Sequence, residues 1–237
     1  MSALRTWFRR QQFHPGPLAW AVCPFWLTRR ELRHAIVRYA PKLSGRLLDF
    51  GCGAKPYREL FSAASYVGCD VYKSGHDHTG EQIDAFFDGR HLPFADQSFD
   101  SIFASEVLEH VFEPDAVLNE LSRVLRPGGR MLLTVPFVWH EHEEPYDFAR
   151  YTAFGLAALV QRAGFRVIEQ SRLGDSATAV AQLAAASLAD ALPKRALFRL
   201  PLTLATASPT LLMGAAVSAV FRPNQRLYLN NVLLAER

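Results

Sequence analysis

Two short segments of this chain bring together side chains able to do chemistry. The first is Asp49-Phe50-Gly51-Cys52-Gly53-Ala54-Lys55-Pro56, where a carboxylate at the end of an apolar run is followed by two glycines. Such glycines let the backbone turn tightly and approach a ligand with no Cβ in the way. A dinucleotide fingerprint fails, because its third glycine is replaced by Pro56. Asp49 beside the turn suits a cationic ligand better than a pyrophosphate, since a carboxylate in a partly dry site favours a positive partner. A second acidic strand end, at Asp70, is placed to accept hydrogen bonds from a ribose diol.

The second segment is Val138-Trp139-His140-Glu141-His142-Glu143-Glu144-Pro145-Tyr146-Asp147-Phe148-Ala149-Arg150-Tyr151-Thr152. His142 is the first choice of general base, because a histidine titrates nearest neutral pH. Glu144 and Asp147 could orient it, Arg150 and Tyr151 could bind a sugar, carboxylate or phosphate, and His140 stands in reserve. Two plainer readings stay open. The His/Glu run has the composition of a metal site, but its spacing matches no ligand rule and no metal is assigned. Alternatively Arg150, Asp147 and Glu144 form a salt-bridge network that only fixes the loop.

The elements that must carry these segments alternate. Strand-like runs at 46–50, 66–71, 99–104 and 130–135 are separated by helical patterns. One helix places Ala116, Val117, Leu118, Leu121, Val124 and Leu125 on its apolar side and is expected to end at Pro127-Gly128-Gly129. Another, with Phe154, Leu159 and Val160 inward, stops at Gly164 and feeds a strand over 165–169. This alternation predicts an α/β fold: a Rossmann-like, doubly wound, mostly parallel seven-stranded sheet with an N-terminal helical cap and a helical insertion before the last strand. Ligands in such sheets sit beyond the carboxyl ends of the strands, which points to the loops after residues 49, 70, 88, 104 and 135.

Residues 1–44 read as a basic, aromatic cap and 45–237 as the main domain, with an apolar helical insertion over 176–222. In the cap, Thr28-Arg29-Arg30-Glu31 is expected to form a capping box ahead of a helix that buries Leu32, Ala35, Ile36 and Tyr39. Residues 200–221 carry no charge. Because Leu227 to Leu234 reads as a strand that rejoins the sheet, the Ala/Leu-rich stretch 176–221 that contains this run is expected to be a packed helical pair or a hairpin dipping into one leaflet, not a single span.

Length and charge narrow the function classes. The 237 residues are 49% hydrophobic and 21% charged, enough for a real core and far from disorder. Three cysteines at 23, 52 and 69 exclude a disulfide framework and suggest a reducing compartment. No contiguous apolar leader opens the chain, so secretion is not expected. The net charge of +3 hides +8 over residues 1–46, −9 over 47–171 and +4 over 172–237. An acidic middle argues against a nucleic-acid groove there.

In motif order and spacing, residues 45–172 resemble the class I S-adenosylmethionine-dependent methyltransferases, of the small-molecule, ubiquinone-biosynthesis-like type. The matching motifs are Leu48-Asp49-Phe50-Gly51-Cys52-Gly53, Gly68-Cys69-Asp70, Asp88-Gly89-Arg90-His91-Leu92-Pro93-Phe94 with Gln97-Ser98-Phe99-Asp100, and Val107-Leu108-Glu109-His110-Val111 with Leu125-Arg126-Pro127-Gly128-Gly129. The resemblance implies S-adenosylmethionine as cofactor. Asp49 would meet its amino group, the Gly51-Cys52-Gly53 turn its methionine part and Asp70 with Val71 its ribose. Asp88 and Gly89 would meet the adenine, and Ser105, Glu106 and His110 would wall the pocket. Lys55 departs from the third glycine many members have there. The variant Gly-Cys-Gly-Ala-Lys-Pro-Tyr-Arg is similar to members associated with polysaccharide and cell-envelope functions.

The expectation is therefore methyl transfer to a small or lipid-linked polar acceptor, with a sugar hydroxyl of envelope biosynthesis as one candidate. The enzyme would be cytoplasmic, with its basic, aromatic N-terminus and the uncharged 200–221 stretch together holding it at the inner face of the membrane. Two rivals stay open: a cofactor-binding protein without turnover, and a nucleic-acid methyltransferase gripping through the basic N-terminus. The acidic middle and the lack of an Asn/Asp-Pro-Pro-Tyr motif make the second the weaker.

Overall fold

The computed structural model describes residues 3–72, 81–193 and 196–237. Its strands are β1 Arg46–Phe50, β2 Ser65–Val71, β3 Ala85–Phe87, β4 Phe99–Ser105, β5 Leu125–Pro136, β6 Arg166–Leu173 and β7 Asn230–Glu236. They form one sheet in the order β3-β2-β1-β4-β5-β7-β6. β1 pairs in parallel with both β2 and β4, as do β2 with β3 and β4 with β5. β7 runs antiparallel beside β5: Gly128 N–H donates to the Arg237 carbonyl near one end, and Val138 N–H to the Leu229 carbonyl near the other. The chain winds outward from β1 in one direction and resumes from β4 in the other. That reversal opens a crevice at the carboxyl ends of β1 and β4.

The inner strands are apolar because both of their faces are covered. Leu47, Leu48 and Phe50 of β1, Ile102 and Phe103 of β4, and Met131, Leu132 and Leu133 of β5 are all buried. Helix α3, Pro114–Val124, presses Val117, Leu118, Leu121 and Val124 into this core, and α4, Ala153–Arg162, adds Leu156, Leu159 and Val160. Thr152 caps α4 by accepting a hydrogen bond from Gly155 N–H at 3.0 Å.

Three local expectations are corrected. Pro127-Gly128-Gly129 does not end a helix: α3 closes at Val124, and Leu125 already begins β5. The register against β4 jumps from Phe99↔Leu125 to Ser101↔Arg130, so the Pro-Gly-Gly run is a bulge inside the strand, with Gly128 at φ +74°. Phe154 is exposed, because the inward stripe of α4 runs through Leu156, Leu159 and Val160 instead. The first long helix, α2, Trp26–Tyr39, starts before Thr28 and has no capping box. Its Thr28 N–H donates to Gln182 Oε1 at 3.2 Å, so a residue remote in sequence does the capping.

The chain divides into two compact units. One comprises residues 36–137, 141–171 and 231–237 and contains the sheet core. The other comprises residues 1–35, 138–140 and 172–230. This second unit holds α1, Ala3–Phe13, the first part of α2, and the helices α5, Ser176–Asp190, α6, Ala196–Ala205, and α7, Ala207–Phe221. Its core joins Leu27, Ala179, Ala181, Ala185, Ala207, Leu211 and Leu229. The stretch expected as a helical pair thus contains three helices, and α5 carries a true capping box in which Asp175 and Thr178 exchange hydrogen bonds.

Candidate functional site

At the end of β1 the chain turns through Gly51, at φ +69°, and Gly53, at φ +42°. A Cβ on Gly51 would lie 2.3 Å from Val107 Cγ2. Gly51→Ala therefore combines a clash with an unfavourable φ, and is expected to cost ~2 kcal/mol or more, read as a lowered melting temperature. Asp70 ties the turn to the next strand. Its Oδ2 accepts from Gly53 N–H at 2.8 Å, and its Oδ1 from Val71 N–H at 2.8 Å. Asp49 is buried beside it and accepts from the Tyr66 hydroxyl at 2.6 Å. Burial drives the Asp49 carboxyl up to about 7; the Tyr66 hydrogen bond opposes this, and the negative Asp70 adds to it. The Cys52 and Cys69 thiols are buried, and desolvation raises both out of the reactive range.

Lys55, the departure from the glycine pattern, adopts φ +52°. Its buried ammonium pairs with Asp84 at 2.6 Å, and its stem lies so close to Gly68 that a Cβ there would meet Cε at 2.2 Å. Burial opposes charge on Asp84, yet the Gly68 N–H and Lys55 hold its carboxyl below the usual range. Neither Tyr66 nor Asp84 stood out in the sequence. Both are recognised only through partners that strand pairing brings alongside.

Asp88 is exposed, and its Oδ1 accepts from the backbone N–H groups of Arg90 and His91 at 2.8 and 2.7 Å. Those bonds lower its pKa and shape the turn that leaves Gly89 at φ +92° facing open space. At the end of β4, Ser105 Oγ lies 2.9 Å from Thr134 Oγ1, which donates to Glu106 Oε1 at 2.9 Å. Glu106 itself has φ +57°. Strain of this kind persists only where the surroundings over-determine it.

Three residues on, Glu109 is fully buried, and neither carboxyl oxygen has a hydrogen-bond partner among the described residues. Burial, then the negative Glu106, push its pKa well above the ordinary carboxylate range. Sequence reading passed over Glu109 as a site residue. His110 Nδ1 lies 2.7 Å from the Tyr146 carbonyl. A carbonyl only accepts, so that nitrogen carries the proton and Nε2 faces Glu109 and Glu143, at 3.9 and 3.7 Å.

The loop after β5 brings His142, Asp147 and Arg150 together. The His142 backbone N–H donates to Asp147 Oδ2 at 2.9 Å, and its Nδ1 lies 3.2 Å from the same oxygen. Arg150 grips Asp147 with two donors, Nη1 to Oδ1 at 2.5 Å and Nη2 to Oδ2 at 2.6 Å. Burial opposes the Asp147 charge, but Arg150 and the His142 N–H hold the carboxyl at about 2. Burial, then the neighbouring His110, keep His142 below its ordinary value, while Asp147 pulls the other way. The two imidazoles meet edge to face with centroids 4.8 Å apart.

The other loop candidates are placed differently. Glu144 is exposed and forms no bond to His142 among the described residues. Tyr151 donates to the Leu108 carbonyl at 3.3 Å, and burial raises its hydroxyl to about 12. His140 belongs to the other unit, stacked on Trp139 with centroids 4.9 Å apart. Glu109, His110 and a ring nitrogen of His142 all fall within 4.8 Å of one another, a donor set able to share a cation.

A family model described as a methyltransferase domain matches residues 25–170. Among curated relatives, an O-methyltransferase of Penicillium expansum is 30% identical over 162 residues, 59% of this chain and 59% of that protein. A fatty-acid O-methyltransferase of Mycolicibacterium smegmatis is 32% identical over 44% of this chain and 42% of its own length. The chain thus spans less than two thirds of either relative. Among solved structures, a methyltransferase from Archaeoglobus fulgidus superposes with a TM-score of 0.56 at 14% identity, covering 88% of this chain and 94% of that one. That likeness shows a shared fold. With the family match extending from α2 to β6 and taking in every turn described above, the chain belongs to the methyltransferase-domain family.

Proposed function

We propose that the protein moves a methyl group from S-adenosylmethionine to a hydroxyl of a polar acceptor, small or carried on a lipid, with a sugar hydroxyl as the leading candidate. When bound, the cofactor supplies an electrophilic methyl group on a sulfonium. The residues fit such a ligand. Backbone at Gly53 and Gly89 faces open space, where a Cβ would meet only Glu81 Oε1 at 3.9 Å or nothing within 4 Å. Beside it lie the Asp49 and Asp70 carboxylates, suited to an amino group and a diol.

The observation that carries the reading is His142: half-buried, its pKa lowered by burial, its ring Nδ1 3.2 Å from Asp147 and its backbone N–H bonded to that carboxylate, which Arg150 keeps ionised. A base so placed takes the acceptor's proton at its ring as the methyl group arrives. Oxygen as the accepting atom draws support from the O-methyltransferases among the relatives. The test is incubation with isotopically labelled cofactor and fractionated extract, following which fraction takes up the methyl. Cofactor binding with no labelled product in any fraction would favour the rival without turnover. Label entering RNA would favour the nucleic-acid rival.

Asp49 provides a pH test. A cationic amino group beside it favours the ionised carboxylate, so protonation as pH falls through about 7 competes with binding. Affinity is expected to be about tenfold weaker near pH 6 than near pH 8, with proton release on binding. Calorimetry in buffers of different ionisation heat checks both, and Asp49→Asn should flatten the profile. A second reading is favoured by the buried Glu109, whose carboxyl oxygens have no hydrogen-bond partner among the described residues: a divalent cation on Glu109, His110 and His142 that holds the acceptor oxygen. Full turnover after exhaustive chelation would reject it.

A further inference from the structure

Residues 172–230 lie beyond the family match and form most of the second unit. Between Asp190 and Glu236 the sequence has no acidic residue. Its five cations, Lys194, Arg195, Arg199, Arg222 and Arg226, all flank the uncharged run 200–221. Lys194 and Arg195 fall outside the described residues. The run folds as α6 and α7, separated by Thr206 alone.

Burial divides α7 into two faces. Ala207, Ser208, Leu211 and Gly214 are packed. A Cβ on Gly214 would lie 2.2 Å from Ala181 Cβ of α5, and Ser218 Oγ donates to Asp175 Oδ2 at 2.5 Å. Away from that packed stripe Met213 is 66% exposed and Val220 72%, with Leu212 exposed beside Met213; Phe221, two turns beyond Gly214 at the C-terminal end of α7, is 75% exposed, and Leu200, Leu202 and Leu204 are exposed on α6. Only 22% of the most apolar window of Arg199–Phe221 is buried, the opposite of a core helix.

We infer that this face of α6 and α7 docks in the plane of an anionic lipid bilayer, entering the nearer leaflet only. Arg199–Phe221 taken as a whole is long and apolar enough to cross a membrane, but Thr206 divides it into helices of 10 and 15 residues that reach ~15 and ~22 Å, each short of the ~30 Å hydrocarbon core. A span would also strip α7 from α5 and separate β7 from the sheet it joins. The charge pattern selects the occupant. Arginines at both ends and none within the face suit headgroups around an apolar footprint. A second copy would bring the same cations against one another, and an acidic peptide would need cations inside the face. The inference stands apart from the catalytic reading, and its test does not depend on turnover.

Flotation of the full chain with phosphatidylcholine vesicles, with and without phosphatidylglycerol, tests it. Binding is expected only with the anionic lipid, weakening as salt rises. The double variant Met213→Glu/Phe221→Glu, altered only at exposed positions, should lose about tenfold or more of that binding. Its unchanged circular dichroism and melting temperature would show that it folds. Three results would overturn the proposal: no flotation at low salt, flotation unchanged in the folded double variant, or self-association of the native chain that the same substitutions abolish. Methylation of a soluble acceptor, assayed without vesicles, judges the catalytic reading separately.

Discussion

Replacing His142 with alanine is expected to reduce turnover ~10²–10⁴-fold, the usual contribution of a positioned base, while the cofactor dissociation constant stays within about twofold. The separation follows from the fold: His142 sits on the loop after β5, whereas the glycine turn and its carboxylates belong to the rims of β1 and β2. The pH profile adds a sign. Neutral imidazole is the active form, so activity falls as pH drops through the His142 pKa. Burial places that pKa below 6.5, and the acid limb lies there too. Asp147→Asn removes the charge that draws the pKa upward, and should shift the limb lower still. Turnover unchanged in His142→Ala would remove the base assignment and leave cofactor binding intact.

Asp70→Ala is expected to weaken cofactor binding ~10–100-fold, the range for deleting a charged hydrogen-bond partner. The buried carboxylate does two jobs. It accepts Gly53 N–H across the turn and Val71 N–H beside it, and in the proposed function it meets the ribose. Alanine leaves the Gly53 donor without that bond and loosens the backbone meant to approach the methionine part. Asp70→Asn separates the two: it preserves an acceptor for Gly53 but not the charge, and should fall between wild type and alanine. Calorimetric titration with S-adenosylhomocysteine measures all three. An unchanged constant in Asp70→Ala would sink the cofactor site as described.

Much of this was legible in the chain because the relevant signals are local. Strand-like runs ending in Asp49 and Asp70 became the ends of β1 and β2, and the glycine turn has the left-handed backbone its residues allow. A short apolar run between turn residues has few ways to fold, so parallel strands and their rims can be read directly. Boundaries were less legible where a partner outside the window decides. Pro127-Gly128-Gly129 looks like a helix stop but is a strand bulge, because β4 pairs with Leu125 and Arg130 on either side of it and Arg237, just after β7, exchanges backbone bonds with Gly128 and Gly129. Thr28 looks like a cap but lies inside a helix that Gln182 caps.

The sequence by itself determined the alternation of strand and helix, the glycine turn with its flanking carboxylates, and the acidic middle between basic ends. Each of these depends on a residue and its near neighbours, where backbone freedom, periodicity and charge act at short range. Only the tertiary structure decided which polar groups meet. It buried Glu109 with no hydrogen-bond partner for its carboxyl among the described residues, set Tyr66 against Asp49 and Asp84 against Lys55, and brought both Arg150 and His142 to Asp147. Protonation depends on burial and on charges brought close by folding, and neither is a property of position along a chain.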